Sequence, residues 1–340
     1  MNKTFFYDSL EKLINTDSPT GYTKKAISFL VDEISMLGYE YDITAKGNLI
    51  VKVSDGNDPL GICAHVDTLG LMVRSIKSDG KLALTTLGSP LLNTLNSEYC
   101  RIYTRDGNCY TGTILSTSCA SHVFPDAQSK ELNIDNLEVR LDLEVKNKDD
   151  VSKYGIQSGD IVCIDPKFQI TEHDFIKSRF LDDKLSAAIL LTLLKEIKDK
   201  HLILNRKVYF IFTVYEEVGH GNSYIPLDIK ELLGVDMGCI GLDLNCSEYD
   251  VSICAKDSSG PYDYDMTSKL ITLAKEANIN HAVDIYPMYG SDVSCALRGG
   301  NDIKGALIGP GVYASHGMER SHFKACEATY ALLKLYLQLN

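Results

Sequence analysis

Strand-like and helix-like segments alternate in two separated stretches of this chain, and this alternation is what most constrains its fold. The first stretch contains a helical pattern at 24–38 and apolar runs at 48–54 and 60–67, and the second begins after Asp165. The run at 60–67, LGICAHVD, is apolar at successive positions, as expected for a central strand covered on both faces. Alternating strands and helices predict an α/β fold, with a mixed sheet and helices on both faces.

The second stretch continues the alternation in segments that we assign by their hydrophobic periodicity. We predict helices at 181–199, 264–278 and from about 322, and strands at 207–214, 237–244 and 302–309. Together the two stretches predict one α/β domain that is built from residues 1–68 and 165–340.

Residues 69–164 have a different pattern, because short alternating runs are separated there by turn dipeptides. Asp79-Gly80 and Asp106-Gly107 are typical of β-hairpin turns. No helical periodicity interrupts these runs. The segment therefore predicts a small all-β domain, inserted into the α/β domain after Asp67.

The charge and the cysteine content disfavour several classes of function. The formal net charge is −12, which disfavours nucleic acid and anionic membranes as partners. The chain has no apolar run of about 18 residues, and its start lacks the apolar core of a signal peptide. Ten cysteines include no CxxC pair and mostly lie in apolar runs, as free thiols do in a reducing compartment. We therefore expect a cytoplasmic protein.

Acids and histidines stand at the ends of the predicted strands and at the start of one helix. They are His65 and Asp67 after 60–64, Asp182 and Asp183 at the start of 181–199, Glu216 and Glu217 after 207–214, Asp243 near the end of 237–244, and His316 before the last helix. Ligands of open α/β sheets bind outside the carboxyl ends of the strands, so we expect these side chains to converge.

Each of these residues also has an ordinary structural interpretation. Asp182 fits a helix cap, a histidine at a strand end commonly forms a hydrogen bond, and Glu216 and Glu217 fit a solvated loop. The combination favours a metal site, because an apolar strand that runs directly into two carboxylates leaves a dehydrated charge that needs a partner. Histidine and carboxylate ligands without thiolates suit catalytic zinc, cobalt or manganese. Two such cations need a bridging carboxylate, and another carboxylate is needed as base.

The order of these motifs resembles the peptidase family that contains glutamyl aminopeptidase and the tetrahedral (TET) aminopeptidases. S-P-T-G-Y at 18–22 is similar to its S-P-S-G-Y, A-H-V-D-T-L-G-L-M-V at 64–73 to its A-H-M-D-E-I-G-F-M-V, and F-T-V-Y-E-E-V-G at 212–219 to its F-T-V-Q-E-E-V-G. I-K-S-R-F-L-D-D-K at 176–184 resembles its lead into a bridging D-D-R, and Y-G-S-D at 289–292 stands where it has G-T-D. The resemblance spans roughly residues 18–330.

This resemblance implies a two-metal aminopeptidase that hydrolyses the N-terminal peptide bond of peptides with a free N-terminus. It implies that Asp182 bridges two divalent cations, most simply zinc, with cobalt or manganese as alternatives. His65 and Asp243 would complete one site, and Glu217 and His316 the other.

The same resemblance implies two catalytic roles and an assembly. Glu216 would be the general base for a water that bridges the metals, and Asp67 would orient the imidazole of His65. The implied fold is a phosphorylase/hydrolase-like α/β core, in which the barrel-like insertion at 69–164 serves dimerisation. Members of the family form large particles, commonly dodecamers, so we expect a homo-oligomer built from dimers.

The chain departs from the family pattern at several positions. Lys184 follows Asp183 where the family usually has arginine. Y-A-S-H-G-M-E places His316 one position later than the family's Y-x-H-S-x-x-E, which leaves His322 as an alternative ligand. His220 stands where the family continues with Leu-Arg-Gly, and it either lines the substrate pocket or faces solvent.

Two other functions remain open from the sequence. A related metal-dependent deacylase or carboxypeptidase would share the ligand order, but its inserted domain is an α/β sandwich rather than all-β. A non-catalytic assembly or sugar-binding protein would have lost Asp67, Asp182 or Glu216, and all three are present. The preferred N-terminal residue of the substrate is not fixed by these patterns.

Overall fold

The chain forms two compact units in the computed structural model, which describes residues 1–226 and 228–339. One unit comprises Met1–Thr68 and Lys167–Asn340, and the other comprises Leu69–Pro166. The helices are α1 Lys3–Ile14, α2 Lys24–Met36, α3 Lys148–Ser152, α4 Leu181–Asp199, α5 Tyr264–Glu276, α6 Asp292–Arg298 and α7 Phe323–Tyr336. Within the described ranges, no helix combines the length and the apolar character that a membrane crossing requires.

The strands are numbered in chain order through both units. They are β1 Glu40–Ile43, β2 Leu49–Ser54, β3 Leu60–His65, β4 Gly70–Ile76, β5 Leu82–Leu87, β6 Glu98–Tyr103, β7 Cys109–Ser116, β8 Leu137–Leu141, β9 Ile161–Ile164, β10 Gln169–Ile170, β11 Phe175–Ser178, β12 Val208–Thr213, β13 Glu231–Val235, β14 Gly238–Cys239, β15 Val251–Asp257, β16 Gly260–Pro261, β17 His281–Ile285, β18 Lys304–Val312 and β19 Glu319–His322.

The larger unit is built on a mixed sheet with the strand order β1-β2-β12-β3-β13-β18-β15-β16. Its four central strands, β12, β3, β13 and β18, are parallel neighbours. The flanking strands β2 and β15 run antiparallel to β12 and β18. The carboxyl ends of the four central strands therefore lie at the same edge. Off this path, β14 pairs with β18 and β17 pairs with β15, and β10, β11 and β19 form a separate small sheet.

Helices cover both faces of the central strands. On one face, Val293 of α6 packs in a buried apolar cluster with Cys63 of β3 and Leu307 of β18. Successive residues of a strand point to opposite faces, so the buried Ile62 faces the other side. There α4 packs against β3 and α7 against β18. The predicted α/β fold with a mixed sheet is confirmed.

The smaller unit is a closed antiparallel barrel with the strand order β4-β5-β8-β7-β6-β9. Val73, Leu84, Ile102 and Val139 come from four different strands and are buried. The helical segments of this unit are short: α3, Leu92–Thr94 and Ile134–Asn136. The all-β, barrel-like character predicted for the insertion is confirmed.

One predicted strand of the larger unit is wrong. The segment 237–244 contributes only the two-residue strand β14, and the sheet strand is the preceding β13, Glu231–Val235. Gly238 and Gly241 interrupt the apolar run of 237–244, and Asp243 has a left-handed backbone with φ 61°. The chain therefore turns where a strand is predicted. Helix α1 and strands β15 and β17 lie outside the predicted elements.

Glu196 ties α4 to α7. Its carboxylate accepts hydrogen bonds from the Tyr330 hydroxyl, from Lys334 Nζ at 2.8 Å and from Lys200 Nζ at 3.0 Å. Burial alone would raise the pKa of Glu196, but these three donors outweigh it and lower the pKa to about 2. Because this value lies below the pKa of about 4.3 in an unfolded chain, the network stabilises the fold at neutral pH. That contribution is lost as the pH falls from about 4 towards 2.

We expect Glu196→Gln to lower the free energy of unfolding at pH 7 by about 1–2 kcal/mol, because it removes a partly solvated ion-pair network. The difference from the wild type should shrink as the pH falls below about 4. Urea denaturation at several pH values measures both effects. Asp199→Asn is the matched control, because Asp199 forms an exposed pair with Lys195 on the same helix. Equal stability of Glu196→Gln and the wild type at pH 7 would contradict the assignment.

Candidate active site

Acidic and histidine side chains gather at the carboxyl edge of the four parallel strands. His65 is the last residue of β3 and pairs with Thr213 at the end of β12. Asp236 directly follows β13, and the register between β13 and β3 places it level with His65. His316 lies in the loop after β18. This edge is where open α/β sheets bind their ligands.

Asp182, at the start of α4, lies at the centre of the cluster. Its Oδ1 is 3.0 Å from His65 Nε2, and its Oδ2 is 3.7 Å from His316 Nε2. His316 Nε2 is also 3.7 Å from Glu217 Oε2. Two groups of potential ligand atoms share Asp182: one comprises His65, Asp182 and Asp236, and the other Asp182, Glu217 and His316. Within each group, the atoms lie within 4.8 Å of one another.

Asp236, and not the predicted Asp243, lies in the group of potential ligand atoms with His65 and Asp182. Asp243 lies in an exposed turn and belongs to neither group, so its expected grouping with His65 is incorrect. Asp236 is buried and ends the strand that pairs with β3. The prediction of Asp243 fails because it assumes a strand at 237–244. The observed strand is β13, and the residue that directly follows it, Asp236, lies beside His65.

Asp67 holds the turn that carries the two glutamates. Its carboxylate accepts hydrogen bonds from the backbone N–H groups of Glu216, at 3.1 Å, and Glu217, at 3.3 Å, and from the Thr20 hydroxyl at 2.6 Å. The closer partner of the His65 ring is the Asp67 backbone carbonyl, 2.9 Å from Nδ1, whereas the carboxylate Oδ1 is 3.6 Å away. When Nδ1–H donates to that carbonyl, the lone pair of Nε2 faces Asp182.

Glu319 is a positioning residue that the sequence analysis did not assign. It is buried, and its two carboxylate oxygens accept hydrogen bonds from the backbone N–H groups of Asp182 and His316, both at 3.0 Å. Burial and the charge of Asp182 raise the pKa of Glu319 to about 8. Glu319 therefore fixes the backbone of one residue from α4 and one from the loop after β18. The only signal for it in the sequence is its place in the motif Y-A-S-H-G-M-E.

Asp292 fixes the loop that follows β12. Its carboxylate accepts hydrogen bonds from the Thr213 hydroxyl and, at 2.8 Å, from the backbone N–H of Asn222. Burial raises the pKa of Asp292 to about 6. The Y-G-S-D motif contains this residue, and the structure shows that it braces the loop on which Glu216 and Glu217 lie.

Burial dominates the electrostatics of the cluster. It raises the pKa of Glu216 and Glu217 well above the ordinary value, and neighbouring carboxylates add to the rise. Burial alone would also raise the pKa of Asp182. The neighbouring His65 and His316 rings outweigh burial, so the pKa of Asp182 is lowered. Buried carboxylates in this number favour a cation, because an added positive charge stabilises their ionised forms.

The side chains present fit divalent cations. Glu217 Oε1 and Asp183 Oδ1 are buried and have no hydrogen-bond partner among the described residues. A buried carboxylate oxygen without a partner is costly, and a cation bound by Glu217 would satisfy its oxygen. Imidazole and carboxylate ligands without thiolates are typical of catalytic zinc, cobalt or manganese sites.

His322 and His220 belong to neither group of potential ligands. His322 caps α7, where its Nδ1 accepts from the Lys324 N–H at 3.0 Å and its Nε2 lies 2.9 Å from the His173 carbonyl. His220 is exposed and stacks on Tyr215, with 4.9 Å between the ring centroids. The structure therefore brings His316 to the cluster, and not the alternative His322.

A mixed α/β sheet with an inserted barrel, and two acid–histidine groups at its carboxyl edge, define a metal-dependent hydrolase. The family profile described as M42 glutamyl aminopeptidase matches residues 47–332, and the chain belongs to this family. It is therefore a hydrolase that acts on peptide bonds, and the family is metal-dependent. This confirms the family resemblance that the sequence motifs indicate.

Individual relatives agree with this assignment. The chain is 43% identical over 332 residues to the Bacillus subtilis (strain 168) protein named "Putative aminopeptidase YhfE", covering 97% of this chain and 96% of that one. A TET aminopeptidase structure from Thaumarchaeota archaeon SCGC AB-539-E09 superposes with a TM-score of 0.88 at 18% identity, over 98% of this chain and 96% of the other. The Pyrococcus horikoshii TET1 peptidase superposes with a TM-score of 0.85 at 22% identity, over 98% and 99%. These structures share the fold.

We expect Gly309→Ala to disrupt the site by destabilising the end of β13. A Cβ at Gly309 would lie 1.3 Å from the backbone oxygen of Asp236, so the backbone that carries Asp236 would have to move. The expected loss in the free energy of unfolding is about 3 kcal/mol or more. Gly241→Ala is the matched control, because its Cβ meets no atom within 4 Å. Urea denaturation compares the variants, and wild-type stability of Gly309→Ala would refute the packing described here.

Proposed function

We propose that this chain is a two-metal aminopeptidase that hydrolyses the N-terminal peptide bond of peptides with a free N-terminus. The observation that carries this proposal is the sharing of Asp182 by two groups of potential ligands. One cation would be held by His65, Asp182 and Asp236, and the other by Asp182, Glu217 and His316. We propose zinc for both cations, with cobalt and manganese as alternatives.

When bound, two divalent cations would polarise the substrate carbonyl and lower the pKa of the attacking water. Glu216 is the side chain that we assign as general base. It belongs to neither group of potential ligands, yet its Oε2 lies 3.7 Å from His65 Nε2, beside the cluster. Its carboxylate would take a proton from the attacking water and pass it to the amine of the leaving group. Asp67 keeps Glu216 in place through the Glu216 N–H.

The inserted barrel favours an aminopeptidase over the related deacylases and carboxypeptidases, whose inserted domain is expected to be an α/β sandwich. The unit Leu69–Pro166 is instead a closed antiparallel barrel. We propose that this unit serves dimerisation, and that dimers assemble further. In support, the Pyrococcus horikoshii TET1 peptidase assembles into a tetrahedron or a large octahedral shell. Light scattering on the purified protein tests the assembly.

We propose the cytoplasm as the location of this enzyme. All ten cysteines are free thiols, and seven of them are buried. Free thiols persist in the reducing cytoplasm, whereas disulfides form in oxidising compartments. Immunodetection in fractionated cells tests this proposal.

We expect Glu216→Gln to lower kcat by about 10²–10⁴-fold, because the amide cannot accept the proton, while bound metal stays at the wild-type level. Hydrolysis of aminoacyl-p-nitroanilides measures activity, and inductively coupled plasma mass spectrometry measures metal. Glu172→Gln changes an exposed glutamate and is the control. Activity of the wild type on free-amine substrates, but not on N-acetylated ones, and its loss with a chelator support the aminopeptidase assignment. Full activity of metal-loaded Glu216→Gln would exclude this base.

We expect Asp236→Asn to reduce bound zinc from two ions to about one per chain, because an amide is a weaker zinc ligand than a carboxylate. Asp243→Asn should keep both ions, because Asp243 lies in an exposed turn outside the cluster. Both variants remove one negative charge from the same loop region, so they are matched. Loss of zinc in Asp243→Asn, with wild-type zinc content in Asp236→Asn, would contradict Asp236 as a ligand and support Asp243.

A further inference from the structure

Residues 16–20, here called the 16–20 loop, connect α1 to α2 and lie against the residues that follow β3. Ser18 Oγ donates to the Val66 carbonyl at 2.7 Å, and the Ser18 carbonyl accepts from the Thr68 N–H at 2.9 Å. The Thr20 N–H donates to the Thr68 carbonyl at 3.1 Å, and the two segments form a parallel bridge. The 16–20 loop therefore has a fixed position beside the end of the central strand β3.

The 16–20 loop is also attached to the helix that carries Asp182. Lys184 lies near the start of α4 and is almost completely buried. Its Nζ donates to the Thr16 carbonyl at 2.7 Å. A hydrogen bond from a charged donor is stronger than one between neutral groups. The loop is therefore held by α4 and by the segment after β3, and both of these contribute side chains to the acid–histidine cluster.

The side chain of Thr20 extends from this loop to Asp67, and both residues are buried. The Thr20 hydroxyl donates to Asp67 Oδ2 at 2.6 Å, a short distance that is typical of hydroxyl–carboxylate bonds. The same oxygen accepts the Glu217 N–H at 3.3 Å, and Oδ1 accepts the Glu216 N–H at 3.1 Å. Of these three donors, the Thr20 hydroxyl lies closest, and it is the one that comes from outside the turn.

A donor from outside the turn fixes the orientation of the Asp67 carboxylate. The last torsion of an aspartate side chain is soft, so the carboxylate plane is set by its hydrogen-bond partners. Because Asp67 bonds the N–H groups of both Glu216 and Glu217, a rotated carboxylate would move the turn with it. Proton transfer requires the base within hydrogen-bond reach of the attacking water, and a small displacement of Glu216 would lose that geometry.

We infer that Thr20 is a positioning residue for the general base: acting through Asp67, its hydroxyl determines where the Glu216 carboxylate lies. The inference rests on the proposed function, because it takes Glu216 as the base. Hydrogen-bond partners behind the groups of a metal site typically contribute about 10–100-fold in metal affinity or activity. Since a base acts in the chemical step, loss of Thr20 should lower kcat rather than raise KM.

Thr20→Val tests the inference, because it keeps a β-branched side chain of similar size and removes the hydroxyl. Hydrolysis of an aminoacyl-p-nitroanilide is measured at saturating zinc, so that a weaker metal affinity does not lower the rate. We expect kcat to fall by about 10–100-fold, with KM near the wild-type value. Thr20→Ser keeps the hydroxyl and should retain most of the wild-type kcat.

Thr23→Val is the matched control, because it makes the same change three positions later. Thr23 is buried, and its side chain does not cap α2, a helix that the structure describes in full. This variant should keep the wild-type kcat. Urea denaturation of all three variants measures how much each substitution weakens the fold.

A double variant distinguishes an effect through the base from a general loosening of the site. In a Glu216→Gln background, Thr20→Val should leave the residual kcat nearly unchanged, because no base remains to be misplaced. A further fall as large as in the single variant would overturn the inference. So would a wild-type kcat in Thr20→Val, or a kcat in Thr20→Ser as low as in Thr20→Val.

The same measurements separate this inference from the proposed function. If Glu216→Gln itself keeps full activity, the proposed base is wrong, and the inference fails with it. If Glu216→Gln is impaired while Thr20→Val is fully active, the inference alone fails and the proposed base stands.

Discussion

The parallel register of β12, β3, β13 and β18 is the constraint on which the site depends. Because these strands point the same way, the residues that follow them meet at one edge, and the chain has placed acids or histidines after each of them. Like charges brought together and buried repel one another and lose their hydration. Buried acids that gather in this way favour bound cations, and Asp182 belongs to both groups of potential ligands.

The buried acids around this edge divide into two kinds by what their oxygens contact. Asp67, Glu319 and Asp292 accept hydrogen bonds from backbone N–H groups, so their carboxylate oxygens have partners within the protein itself. Glu217 keeps a buried oxygen without a hydrogen bond from any described residue, and so it remains available to a cation. The acids that accept backbone hydrogen bonds therefore fix the turns that carry Glu216, Glu217 and His316. In this way side chains on loops are held in a defined geometry.

Much of the fold was accessible from the sequence, because long periodic segments form the elements that their period indicates. The helix at 181–199 and the strand at 207–214 agree closely with α4 and β12. Turn dipeptides identified the barrel for the same local reason. The short strand β13, with a glycine among its five residues, gives no such signal, whereas the longer apolar run that follows it at 237–244 predicts a strand. The predicted strand at 237–244 therefore points to Asp243, whereas the residue that directly follows β13 is Asp236.

By itself, the sequence determined the residue types, the order of the motifs and the family, because these depend on neighbouring positions along the chain. Only the tertiary structure decided which acids meet. His65 and Asp182 are 117 positions apart, and Asp182 and Glu319 are 137 apart, yet both pairs are in direct contact. Contacts of this kind are set by strand register and by turn geometry, whose partners come from distant segments. A local pattern carries no information about which distant segments meet, so the grouping of Asp236 with His65 and the backbone contacts of Glu319 emerged only from the fold.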